Sequence, residues 1–366
     1  MSYLSSHSSI ELELPTNENL QNSFINIETS DLLVHPCLIT QGTTQFMLCS
    51  RIHCSNPDKP IGLSLYNIDC PSQPKLSTTF FPVKDTYTRI FSSQACNGYF
   101  AGYQTKNQIT YLTLFKITGQ GFKKLTSLTL NSVGMKLNTD ALHFLDNNPY
   151  ECLFIPGDGS LKYLDLKKKA VLSETLCNNY EGFKCHSKLR VLAVKRKEEL
   201  HLMKLSVQKE ILSMEKIITG HEIFQEGEAK PKVNFITQYS DLKDYVFDEE
   251  NNMLYIVFAW VSWTHNTVSL SLPPSITHLR FQKWSISENN IELIDQKEIE
   301  WYHNRAQIFN LHVKGKQCLV SDPCGIFIIS LETFTVIDKI FGKRLLGICK
   351  DNRIILQETN RNVFLF

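Results

Sequence analysis

Long apolar runs are missing from this 366-residue chain: no stretch approaches the roughly 18 residues that a membrane-spanning helix needs. Residues 1–15 have no basic segment followed by an apolar one, so a secretory leader is not expected either. The reading is a soluble, non-secreted protein. Net charge is almost absent, with 38 Lys and Arg against 37 Asp and Glu, so the chain as a whole attracts neither nucleic acid nor an anionic membrane. Any such binding needs a local patch. No Asn-x-Ser/Thr acceptor occurs among the many asparagines. Paired cysteine spacings are lacking too: the 11 cysteines are odd in number and sit singly in apolar runs such as Met47-Leu48-Cys49, Glu151-Cys152-Leu153 and Gly347-Ile348-Cys349. That pattern suits buried free thiols in a reducing compartment better than a disulfide framework.

Segments of helical period are scarce from residue 32 onward, and short runs rich in β-branched and aromatic residues take their place, broken by turn signals. Residues 62–68 form one such run, with a partner at 76–81 beyond the prolines. Residues 108–117 turn at Gly119-Gln120-Gly121 and return over 123–130, and residues 161–166 turn on Lys167, Lys168 and Lys169 and return over 170–175. These are meandering hairpins. They recur with a period of roughly 40 to 60 residues, the mark of a propeller built from four-stranded sheets. On that ruler the blades cover 33–82, 88–130, 136–176, 182–217, 244–299 and 307–340, and the remainder, 345–366, holds only three strands. A strand near the N-terminus, at 10–14 or 24–27, is expected to complete that last sheet and remove its open edge.

The stretch 317–340, QCLVSDPCGIFIISLETFTVIDKI, resembles the second half of a WD40 blade: a small-residue strand, an Asp/Gly turn, an apolar strand, a short turn and a final strand. Residues 154–175 are similar. The Trp-Asp dipeptides and Gly-His pairs that mark the family are missing at the blade ends, so the resemblance is carried by period and pattern. It implies an all-β, seven-bladed β-propeller of the WD40-like superfamily spanning 31–366, with a segment at 1–30 supplying the closing strand. Two stretches interrupt the period, a polar one at 218–242 and one at 260–276 that opens with Trp260, Trp263 and His265.

Sites for chemistry are hard to find. Cys49, His53 and Cys54, and likewise Cys177, Cys185 and His186, have no second pair at zinc-site spacing, so no metal is expected. No G-x-S-x-G elbow or phosphate-cradling loop occurs, and Gly157-Asp158-Gly159 reads as a hairpin turn. Neither an enzyme nor a cofactor is expected. Two binding candidates remain. One is the loop with Trp260, Trp263 and His265, because aromatic residues on loops serve as interface anchors. The other is a run of cations, Lys162, Lys167, Lys168, Lys169, Lys184, Lys188, Arg190, Lys195, Arg196 and Lys197, which forms one cationic face if the third and fourth blades are neighbours. The expected function is a non-catalytic scaffold or adaptor in a multiprotein complex of the cytoplasm or nucleus, binding proteins through propeller faces and loops. The alternative is an RNA-binding, non-catalytic subunit of an RNA-modifying enzyme. No membrane insertion or small-molecule substrate is expected.

Overall fold

The computed structural model of the chain describes residues 24–25, 31–53, 56–69, 75–79, 89–91, 96–106, 109–118, 121–131, 141–156, 158–175, 179–206, 211–219, 239–262, 276–288, 290–301, 310–322, 325–348, 354–358 and 363–365. They form strands, turns and bends, and no helix among them is long and apolar enough to cross a membrane.

In chain order, β1 (Phe24–Ile25) is followed by a first sheet of β2 (Asp31–Gln41), β3 (Thr44–His53), β4 (Asn56–Asn67) and β5 (Lys75–Thr79). The second sheet holds β6 (Arg89–Phe91), β7 (Tyr99–Lys106), β8 (Ile109–Thr118) and β9 (Gly121–Asn131), and the third holds β10 (Leu142–Leu145), β11 (Asn148–Phe154), β12 (Lys162–Asp165) and β13 (Ala170–Glu174). The fourth consists of β14 (Gly182–His186), β15 (Val191–Arg196), β16 (Glu199–Leu205) and β17 (Ile211–Thr219). The fifth consists of β18 (Tyr239–Asp248), β19 (Met253–Ser262), β20 (Ile276–Ile286) and β21 (Ile291–Trp301). The sixth has β22 (Asn310–Lys314), β23 (Gln317–Asp322), β24 (Gly325–Ser330) and β25 (Val336–Phe341). A last sheet runs β26 (Lys343–Ile348), β27 (Ile354–Glu358) and β28 (Val363–Leu365), and β1 pairs antiparallel with β28, Phe24 opposite Phe364 and Ile25 opposite Val363.

Each sheet is an antiparallel meander, and where the connection is short its residues suit a tight turn. Asp146 and Asn147, between β10 and β11, both take positive φ (49° and 57°), the requirement of a two-residue hairpin whose twist matches its strands. Third strands are the most enclosed, being covered on both faces: β12 and most of β24 are buried, and β24 reads as a continuous apolar run. Fourth strands differ, since β13 and β25 alternate half-buried and exposed residues.

Neighbouring sheets share their cores. Ile39, Leu48 and Leu65 of the first sheet pack with Phe100 and Phe115 of the second, whose rings stack 5.1 Å apart at 14°. Tyr103, Phe154, Tyr163 and Leu192 belong to one cluster joining the second, third and fourth sheets. Further clusters join the fourth to the fifth, the fifth to the sixth and the sixth to the last. The first strands, β2, β10, β14, β18 and β26 among them, touch their counterparts in adjacent sheets, including β26 against β2. Each fully buried Leu or Phe contributes roughly 1.5 to 3 kcal/mol, so this face-to-face packing is the main source of cohesion.

Strands extend further into both interruptions than the sequence suggested. Ile218 and Thr219 belong to β17 and residues 239–242 to β18, while residues 260–262 belong to β19 and Ile276 opens β20. The physical reason is pairing: the backbone of Trp260 lies between those of Ser240 and His278, which carries the ladder past the point where the side-chain pattern turns polar. The candidate strand at 10–14 and the cores of both interruptions lie outside the described residues.

Gly159 takes φ +72°, and a Cβ placed there falls 2.6 Å from the Asn179 backbone nitrogen. The Gly159 carbonyl also accepts the Tyr180 N–H at 2.9 Å, so neither segment is free to move away. Gly159→Ala is expected to cost about 1 to 3 kcal/mol, visible as a lower melting temperature. A variant that melts with the wild type contradicts this account of the turn.

Candidate interaction surfaces

Asp244, a residue without a motif around it, joins more sheets than its sequence suggests. It follows a break in register between Leu242 and Asp244 in the pairing of β18 with β19, which re-aims the side chain. Its Oδ1 accepts the Lys184 ammonium at 2.9 Å and its own neighbour's N–H, that of Tyr245, at 2.8 Å. Its Oδ2 accepts the Leu311 N–H at 2.7 Å. Lys184 also donates to the Tyr245 carbonyl at 2.6 Å and sits 5.1 Å from the centre of that ring. One carboxylate thus ties together β14, β18 and β22, the first strands of three consecutive sheets. His312, next to Leu311, is held neutral: burial and the nearby Lys184 cation lower its pKa to about 4, against the opposing pull of Asp244.

The cations of the expected basic face fall into three groups. Lys162 is buried, with Nζ 2.7 Å from Glu174 Oε2 and 3.3 Å from Asp158 Oδ2, so it serves the inside of the third sheet. Lys195 donates to the Leu242 carbonyl at 2.9 Å and, like Lys184, joins the fourth sheet to the fifth. Lys204 and Lys216 do the same through the carbonyls of Glu288 and Ile291. Arg190 pairs with Asp146 at 3.0 Å and Lys168 with Asp165 at 3.6 Å. Lys167, Lys169 and Lys188 are exposed in turns at one end of the sheets, whereas Arg196 and Lys197 lie at the opposite end of β15. The structure therefore distributes this group between the interior and two ends of the strands, and does not gather it on one face. The sequence shows a dense run of cations; it does not show that strand alternation and carbonyl acceptors occupy several of them.

Trp260 lies in β19, and its side chain, with Trp263 and His265, is outside the described residues. Trp284 is a core residue, donating from Nε1 to Gln282 Oε1 at 2.9 Å beneath the Lys216 ammonium, 4.5 Å from its ring centre. The described cysteines Cys37, Cys96, Cys152, Cys185 and Cys318 are buried, and burial pushes the Cys96 and Cys185 thiols up to about 12. No group of three metal-ligating side chains occurs among the described residues.

A surface the sequence reading missed lies on the fourth strands. All the exposed large hydrophobic residues among the described ones are there: Val171 and Leu172 on β13, Ile217 on β17, Ile294 on β21, and Ile337 and Phe341 on β25. Between β21 and β25 runs an open groove of about 680 Å³ with Ile299, Val336 and Ile337 along its walls and charges of both signs at its margins. Lys297 spans the two sheets beside it, donating to the Thr333 carbonyl at 2.6 Å.

Four-stranded antiparallel sheets packed face to face, with buried first strands and exposed fourth strands, define a β-propeller. Solved structures agree. Saccharomyces cerevisiae Sqt1 is similar with a TM-score of 0.55 at 9% identity, covering 90% of this chain and 82% of its own, and a protein from Lactobacillus plantarum is similar with a TM-score of 0.54 at 11% identity, covering 83% of each chain. At those identities the likeness is one of fold. No protein-family profile matches the chain, and no curated protein matches it in sequence.

Asp244→Ala strands the Lys184 ammonium and the Leu311 N–H, and is expected to cost about 3 kcal/mol in chemical denaturation. His312 gives a pH signature. Unfolded, it takes up a proton near its ordinary 6.5; folded, only near 4, so the unfolded state binds more protons between those values. Its contribution is complete above pH 6.5 and is lost as the pH falls toward 4. The stability of the wild type is expected to fall more steeply across that window than that of His312→Gln; parallel curves overturn the assignment.

Proposed function

We propose that this protein is a non-catalytic scaffold or adaptor subunit of an intracellular multiprotein complex. The observation that carries the reading is the set of exposed apolar side chains on the fourth strands, above all Ile337, 55% exposed on the wall of the β21–β25 groove, and Phe341, 63% exposed further along β25. Apolar side chains aligned along a rigid rim suit a protein partner laid against it. The reading takes the seven sheets as the blades of one closed seven-bladed ring, with β1 as the outer strand of the last blade. The contact of β26 with β2 supports this, as does the close approach of Leu38 to Gly347. Trp260, Trp263 and His265 supply a second docking element, and cytoplasm or nucleus is the compartment that the buried thiols suit.

Replacing Ile337 and Phe341 together by Asp is expected to change stability little, as exposed substitutions stay within about 0.5 kcal/mol. The same pair of changes is expected to strip the partners that co-purify with the tagged wild-type chain. Trp263→Ala with His265→Ala tests the loop in the same assay. Unaltered partner recovery in both variants overturns the docking surfaces assigned here.

RNA binding remains the second reading, favoured by the exposed Lys167, Lys169 and Lys188 at one end of the strands. Its signature is affinity that falls steeply with salt and is lost on reversal of Lys188 with Lys167 and Lys169 to Glu. Absence of salt-dependent RNA affinity in the wild type excludes it.

A further inference from the structure

We propose that the fourth sheet carries an oxyanion site that takes a phosphate group, built around Arg196 at the end opposite to the exposed lysines. Arg196 ends β15 and Glu199 opens β16 across the two-residue turn of Lys197 and Glu198, and the two residues are paired in register. Glu199 is paired in turn with Thr219 of β17. Residues directly opposite each other project from the same face of a sheet with Cβ atoms about 4.5 to 5.5 Å apart, so Glu199 is the natural partner of Arg196.

That partnership is not made. Glu199 Oε2 is bonded at 2.9 Å to Nε2 of His201, two residues along the same strand and the same face, and His201 is 2% exposed with its ring edge against Tyr180. The Glu199 carboxylate is thus held on His201 while staying 41% exposed, and the half-buried Arg196 guanidinium makes no ion pair among the described residues. Arg196 lines a cavity of about 400 Å³ whose other walls are Asn179, Lys197, Glu198, Glu199 and Thr219. Arg196, Lys197, Thr219 and Asn179, together with Glu198 and Glu199, border one space large enough for a phosphate group. A planar guanidinium donates two parallel bonds to such a group, which a half-buried cation without a counter-charge otherwise lacks. The two glutamates on the wall oppose the same charge and weaken the binding. This site is separate from the apolar groove and does not depend on it.

The test is a titration of the full chain with inorganic phosphate against chloride at matched ionic strength, followed by calorimetry or by backbone amide shifts. The wild type is expected to show saturable binding that weakens about tenfold in Arg196→Gln and by a smaller factor in Arg196→Lys, which keeps the charge and loses the fork. Glu199→Gln is expected to tighten binding, because it removes a repelling charge. A short single-stranded RNA that competes with phosphate in the wild type identifies a nucleic-acid backbone as the source of the group, and one that does not leaves free phosphate compounds; either result supports the site. Equal phosphate binding in the wild type and Arg196→Gln, or no saturable binding in the wild type, overturns it. Should Arg196→Gln fail to fold, Arg196→Lys and Glu199→Gln, with their opposite expected directions, decide the question.

Discussion

No inner sheet of this protein has a face that can meet water, and most of its architecture follows from that. The described second and third strands are largely buried, so each sheet depends on its neighbours, and apolar clusters join consecutive sheets. A stack of this kind needs each sheet aligned with the next, and dispersion forces between apolar surfaces set no direction. Polar bonds supply it. Asp244 accepts donors from β14 and β22 while belonging to β18, and so fixes three first strands relative to one another. Because it is reached by a charged partner and by backbone N–H groups together, it escapes the penalty that usually attends a carboxylate away from water.

Much of this was legible in the chain. The scarcity of helical period, the β-branched runs and the turn residues located the strands, as in 161–166 and 170–175, which became β12 and β13. The propeller class followed from the spacing of such runs. Strand ends were less legible, because a ladder continues wherever backbones stay in register, as through residues 260–262, regardless of side-chain pattern. Candidate sites were the least legible. Lysine beside lysine reads as a patch in one dimension, yet alternation sends Lys162 inward and Lys195 across to the next sheet. Asp244, by contrast, has no marking in the sequence, since its role comes from residues 60 and 67 positions away.

The surface separates into regions with different chemistry. Fourth strands form one edge of their sheets, and among the described residues the large apolar side chains left exposed lie on them. At the strand ends, charge dominates: the Lys188 turn at one end and the Arg196 turn at the other are joined by β15, a rigid six-residue span. These regions are spatially separate, so occupation of one leaves the others open.

The lysines that bind one sheet to the next have a consequence for how this fold tolerates change. Lys195, Lys216 and Lys297 all donate to main-chain carbonyls, those of Leu242, Ile291 and Thr333. A carbonyl is present whatever side chain its residue carries, so the accepting positions can drift through almost any substitution while the bond survives. Only the donor has to be kept. Joints of this one-sided kind let a propeller lose its sequence signature while retaining its fold, which suits a chain that shares 9% and 11% of its residues with the solved structures it resembles.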